Sequence, residues 1–195
     1  MKNMSRLSYT TALLTFAVGL ATPAIASTEM DKSGSSPVTV GGAPMYPNKN
    51  IVENASKSAD HTTLVTAVKA AGLADTLQGA GPYTVFAPTN AAFAKLPSGT
   101  VENLLKPENK EKLASILTYH VVPGRLTATD LKAKAEANGG KAMLKTVEGE
   151  DLTVSAGPNN SWIVADAKGD MATITKANVA QSNGTIHVID TVLMP

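Results

Sequence analysis

Histidine is the side chain that most readily exchanges protons or binds a metal near neutral pH, and the chain carries three, His61, His120 and His187. Asp60-His61 and His187-x-x-Asp190 bring carboxylate and imidazole donors close in sequence. No H-E-x-x-H pair accompanies them and the chain has no cysteine, whereas zinc sites gather four such ligands at close spacing. No metal site is therefore expected. A hydrolase would show a nucleophile elbow of the form G-x-S-x-G, which is absent from the sequence, and no carboxylate pair stands in a recognisable acid/base context. Gly79-Ala80-Gly81 forms a G-x-G, but neither the third glycine nor a helix opening at that point follows, so a dinucleotide loop is excluded. The residue types point to a protein that is not an enzyme and needs no cofactor.

The elements that must position these residues are organised around Tyr83 to Leu126. Tyr83, Val85 and Phe86 give an aromatic and β-branched strand, and Pro88 ends it because proline cannot donate to a ladder. Thr89 or Asn90 can cap a helix carrying Ala91, Phe93 and Leu96. Upstream, Ser58 or Asp60 can cap a helix with Leu64, Val65, Val68 and Ala71 on one stripe, stopped by Gly72 at C′; Leu73 to Leu77 adds a short turn. Downstream, Thr100 is placed to cap Val101–Leu105. Pro107 suits the first turn of a helix that turns Leu113, Ile116 and Leu117 inward and Glu108, Lys110, Glu111 and Lys112 to water. Tyr119 to Leu126 reads as a second extended run, and Thr129 can cap a short helix over Asp130 to Ala135. Met143–Val147 and Leu152–Ser155 flank a turn at Glu148-Gly149-Glu150-Asp151. Pro158-Asn159-Asn160 makes the next turn, and Trp162–Ala165 pairs with Ala172–Thr175. Asn183-Gly184 gives a type I′ hairpin signal before a last strand, Thr185–Leu193. Helices first and antiparallel strands afterwards indicate an α+β fold.

These residues also carry a family resemblance. Thr84–Phe93, TVFAPTNAAF, resembles the first motif of fasciclin (FAS1) domains. Tyr119-His120 followed by Val-Val-Pro-Gly resembles the family's tyrosine–histidine motif, and Asn183–Pro195, NGTIHVIDTVLMP, resembles its closing motif. The resemblance implies a fasciclin-like β-sandwich wedge with several short helices packed at one side, spanning residues 48–195. It also implies a part in adhesion for Tyr119 and His120. Read from the residues, a histidine flanked by β-branched residues is more often half-buried, with its ring nitrogens bonded to nearby backbone. Just before the closing motif, animal members linked to integrin recognition carry an Asp-Ile pair. Here the stretch is Lys176-Ala177-Asn178-Val179-Ala180, and Asn178 lacks the carboxylate that would meet an integrin's metal ion. Tyr119, His120, Asn178 and Val179 are the candidate interaction residues.

The ends of the sequence speak to location. Lys2 and Arg6 precede an apolar core from Leu7 to Leu20, and Ala24-Ile25-Ala26 is a cleavage signature, so residues 1–26 read as a signal peptide. The core falls short of the about 20 apolar residues of a membrane span. Without Lys2 and Arg6 the net charge passes from +1 to one negative charge, and the charges are scattered, which argues against nucleic acid as a partner. Residues 27–47, rich in Ser, Gly and Pro, read as a flexible linker. Asn54, Asn159 and Asn183 head glycosylation sequons, of little weight behind a bacterial leader. The expectation is a secreted or periplasmic binding module for cell-surface or matrix adhesion, with a protein or glycan partner. The alternative is a carrier of a small apolar ligand, lipid or pigment, between helices and sheet.

Overall fold

The computed structural model describes residues 37–158 and 161–195. The leader, linker residues 27–36 and the Asn159-Asn160 turn with its sequon lie outside the described residues. In chain order the elements are β1 (Val38–Val40), β2 (Ala43–Met45), α1 (Ile51–Ala55), α2 (Thr62–Ala71), α3 (Ala74–Gln78), β3 (Tyr83–Pro88), α4 (Asn90–Ala94), α5 (Thr100–Leu104) and α6 (Lys110–Tyr119). They continue with β4 (Val121–Pro123), α7 (Ala128–Ala137), β5 (Lys141–Lys145), β6 (Asp151–Ala156), β7 (Trp162–Ala165), β8 (Met171–Gln181) and β9 (Gly184–Ile189). Short 3₁₀ turns at Ala59–His61 and Pro107–Asn109 lead into α2 and α6.

The larger sheet has seven strands in the order β4-β3-β9-β8-β7-β6-β5. All its pairings are antiparallel except β3 with β9, which run parallel from Tyr83↔Gly184 to Pro88↔Ile189. The strands form one continuous sheet rather than two facing ones. It curls until its ends approach, with the Val147 amide donating to the Val121 carbonyl at 2.8 Å. This is the wedge that the resemblance implies, close to a barrel, with its helices packed around it. The three motifs lie side by side at one end of the strand order: the first on β3, the tyrosine–histidine pair leading into β4 on one side, and the closing motif forming β9 on the other. Parallel strands buried on both faces read as continuous apolar runs, and β9 is buried along its whole length. Val85, Ile186 and Val188 face a core made with α2 and α6 through Leu64, Val68, Leu113 and Leu117. Phe86 and Ile189 face a second core under α7, with Tyr119, Leu131, Leu144, Leu152, Val154 and Val164. Gly184 lets β3 and β9 approach, since a Cβ there would overlap the Tyr83 carbonyl oxygen.

Several local expectations change in the fold. The stretch Val38–Met45, within the expected linker, is a hairpin: Gly41 and Gly42, at φ 56° and 75°, join β1 to β2, and Val40 and Met45 are buried. Composition suggested a tether, but Gly-Gly between apolar residues is a two-residue hairpin signal. Thr89 caps α4 as expected, accepting from the Ala92 amide, and Gly72 closes α2 at φ 74°. Neither Ser58 nor Asp60 caps α2. Its Thr63 amide donates instead to the Asn90 side chain at 3.0 Å, while Ser58 donates to the Val40 carbonyl. Gly99 precedes α5 in place of Thr100, and Thr127 rather than Thr129 caps α7, in a capping box with Asp130. Tyr119 ends α6 instead of opening a strand, and the following strand covers only Val121–Pro123. The β8–β9 turn is not type I′, because neither Ser182 nor Asn183 takes a positive φ. Asn183 is occupied otherwise: it donates to the carbonyls of Leu77 and Gly79 and accepts from the Ile51 amide.

Candidate functional site

The apolar stripe of α6 carries Tyr119 and His120 into the interior, where both are buried. The His120 Nδ1–H donates to the Ile116 carbonyl at 2.7 Å, and its Nε2 accepts from the Leu193 amide at 3.1 Å. Burial of the ring disfavours the imidazolium and pushes its pKa down to about 4, against the weaker pull of the Ile116 carbonyl and the Asp166 charge. The Tyr119 hydroxyl accepts from the Ala167 amide at 3.0 Å, and its ring stands edge-on to His120. The pair thus fastens α6 to the chain's last residues and to the β7–β8 turn. A partner approaching from solvent meets neither side chain.

Asn178 and Val179 lie where β8 slips register against β9, between Lys176 and Val179. Val179 is buried, and Asn178 is exposed with φ at 60°. Asparagine is among the few residues that accept this left-handed conformation at modest cost. The geometry turns its side chain toward α7: Oδ1 accepts from the Ala128 amide at 2.7 Å, one of the free first-turn donors of that helix. Its own amide points to Nδ1 of His187 at 3.4 Å, and the His187 Nε2–H donates to the Leu126 carbonyl at 2.9 Å. His187 is buried and stacks on Phe86 with ring centroids 5.6 Å apart, and burial holds its pKa below the ordinary imidazole value. Four candidate residues therefore divide into three interior ones and one at the surface, Asn178. His187 was not singled out from sequence as a partner of that bulge; its place in the closing motif was the only signal.

Asp190, the carboxylate near His187, is committed elsewhere: it accepts from the Thr173 amide at 2.8 Å and meets Lys95 at 3.4 Å. His61 is buried, with Nδ1 at 2.9 Å from the Ser58 hydroxyl and Nε2 without a hydrogen-bond partner. Among the described residues no group of three or more His, Cys, Asp or Glu side chains is placed to hold a metal. The apolar cavity between α1, α2, β3 and α6 has a volume of about 30 Å³, and a second one beside Leu73 and Tyr83 about 50 Å³. Each has room for a water or two, whereas pockets that enclose a small-molecule ligand run to about 300–1,000 Å³. No helix among the described residues is long and apolar enough to cross a membrane.

A curled sheet clasped by buried histidines, with helices on its flank, defines a wedge-shaped module of the fasciclin type. The chain belongs to the fasciclin family: the Fasciclin domain model matches residues 59–195. It is 45% identical over 195 residues to protein sll1483 of Synechocystis sp., covering 100% of this chain and 99% of that protein. It is 41% identical over 123 residues to the cell surface glycolipoprotein MPB83 of Mycobacterium bovis, covering 63% of this chain and 48% of that one. Among solved structures it resembles the FAS1 domain pair of the insect cell adhesion molecule fasciclin I, with a TM-score of 0.68 at 18% identity. That match covers 82% of this chain and 58% of the other, and at such identity it is a likeness of fold.

Proposed function

We propose that this chain is an exported, non-enzymatic interaction module that attaches to a protein or glycan at the cell envelope or outside the cell. The observation that carries this reading is where the motifs direct their polar atoms. Tyr119, His120, Asn178 and His187 each hold backbone in place, so the motifs act as scaffold and recognition falls to the outer surface. Membership of a family that includes an insect cell adhesion molecule and a cell surface glycolipoprotein supports it. In this reading residues 1–26 are removed on export, a tether follows, and the β1–β2 hairpin opens the binding domain. The carrier reading would need a larger apolar cavity than those between helices and sheet.

The test uses the mature chain, beginning at Ser27, immobilised and challenged with envelope fractions of its own host, with release by excess soluble chain. Saturable, competable capture is the expected result, together with recovery of the cleaved form outside the cytoplasm. Capture that excess soluble chain does not reduce, or full-length protein confined to the cytoplasm, would overturn the reading.

A further inference from the structure

The described surface holds a groove of ligand size, unrelated in position to the small interior cavities. It has a volume of about 460 Å³ and runs between α7 and the ends of β6 and β7, within the range of about 300–1,000 Å³ that suits small-molecule ligands. Its formation follows from the sequence. Thr129, Lys132 and Glu136 recur at spacings of three and four, which sets them along one side of α7. Ala135 and Ala156, on helix and sheet, are too small to fill the space between. Trp162, the only tryptophan of the chain, stands beside them, half-buried against the core under α7.

We infer that this groove binds a neutral glycan, with Trp162 as the platform for a sugar ring. The lining suits that chemistry in three ways. An indole and two alanine methyls offer an apolar wall and floor, as the C–H face of a pyranose requires. Thr129, Lys132 and Glu136 supply both donors and acceptors at the rim, as a ring bearing hydroxyls requires. Lys132 and Glu136 also lie 3.8 Å apart as an ion pair, so the rim carries no net charge to attract an anion. A lipid chain would leave these polar groups facing apolar surface. The groove is also held in register by Asn178, the candidate residue at the surface. Ala128, which lines it, is the residue whose amide Asn178 caps. The inference rests on the adhesion reading and names its site and partner class.

The sole tryptophan makes the test direct. The mature chain is titrated with cellohexaose, maltohexaose, mannohexaose and chitohexaose, and with hexagalacturonic acid as an anionic control, while Trp162 emission and binding heat are followed. A saturable emission change with at least one neutral hexasaccharide is expected, and none with the anionic one. Trp162→Ala, followed by heat, should weaken binding roughly tenfold, the scale of one stacked ring. Ala156→Leu should block the groove while retaining Trp162 as reporter, and both variants are checked by circular dichroism. No saturable change with any neutral hexasaccharide, binding of the anion alone, or binding untouched by Ala156→Leu in a folded protein would overturn the inference. The envelope capture experiment, repeated with Ala156→Leu, separates the two readings. Capture unaffected by that variant leaves adhesion standing and removes the groove from it. Hexasaccharide binding without any envelope capture does the reverse.

Discussion

His120 Nε2 accepts the backbone amide of Leu193 at 3.1 Å, across 73 residues of sequence. The same ring donates to Ile116 one helical turn back, and the His120 carbonyl accepts from the Phe86 amide in β3 at 2.9 Å. One buried residue therefore joins α6, β3 and the closing segment at Leu193. Replacing it by alanine opens a cavity and leaves both the Leu193 amide and the Ile116 carbonyl without a partner.

We expect His120→Ala to cost about 3–5 kcal/mol, combining a large-to-small core change with two unsatisfied buried groups. His120→Gln, which can restore one bond, should cost less. Urea unfolding midpoints of the two variants decide the matter. A loss below about 1 kcal/mol for the alanine variant would show that the bonds contribute nothing net.

Acid should weaken the fold well before the carboxylates titrate. In the folded state His120 titrates at about 4, against an ordinary value of 6.5. The unfolded chain therefore binds the proton first. Stability is full above pH 6.5 and is lost as pH falls from there toward 4, by about 3 kcal/mol in all for this residue. His61 and His187 act in the same direction, because burial lowers both, outweighing the Asp60 charge at His61 and the Leu126 carbonyl at His187. Urea midpoints should hold between about pH 7.5 and 6.5 and fall from there to about pH 4.5. A flat profile down to about pH 5 would contradict the assignment of neutral buried histidines.

At position 178 the fold asks for a side-chain acceptor and tolerance of a positive φ. Asn178→Asp keeps both and sets a carboxylate at the start of α7, so its stability should stay within about 0.5 kcal/mol of the parent. Asn178→Ala loses the cap and strains the left-handed backbone, at about 1–2 kcal/mol. Amide hydrogen exchange at Ala128 should quicken in the alanine variant alone. Equal protection in both would show that Asn178 does not hold the helix.

Local signals in the sequence account for what was legible. Thr89 and Gly72 act within one turn of themselves, and the α6 stripe and the β5–β6 and β7–β8 hairpins follow from periodicity and turn residues. The α+β class followed from the order of helices and strands, and the wedge from the motifs. The parallel union of β3 with β9 was out of reach, because no local pattern records a pairing made about 100 residues apart. The same holds for Asn90, which reaches back to cap α2, and for Asn183, which clasps α1 and the end of α3. The bulge at Asn178 depends on His187 from a neighbouring strand. For the candidate site, sequence chose the right neighbourhood but could not tell which side chains face inward: Tyr119, His120 and Val179 do, Asn178 does not.

The hairpin at residues 38–45 supplies the last test, because composition and structure assign it different roles. A tether could be removed without consequence. Val40 and Met45, however, are buried against the first core, and the buried Asn54 exchanges hydrogen bonds with the Tyr46 backbone, accepting from its amide at 3.1 Å and donating to its carbonyl at 2.8 Å. Asn54 also donates to Gln181, Ser58 donates to the Val40 carbonyl, and Lys176 reaches the Thr39 carbonyl at 2.6 Å. A chain beginning at Asn48 would expose apolar core and leave Asn54 and Ser58 short of partners. Burial of a Val and a Met side chain is worth about 1.5–3 kcal/mol each, and an orphaned buried polar group costs about 1–3 kcal/mol. The chain from Asn48 should therefore unfold at clearly lower urea than the chain from Ser27, by an amount equivalent to about 3 kcal/mol or more. A chain from Pro37, which keeps the hairpin and drops the residues before it, should match the longer one. Matching midpoints for the chains from Asn48 and Ser27 would return the hairpin to the tether.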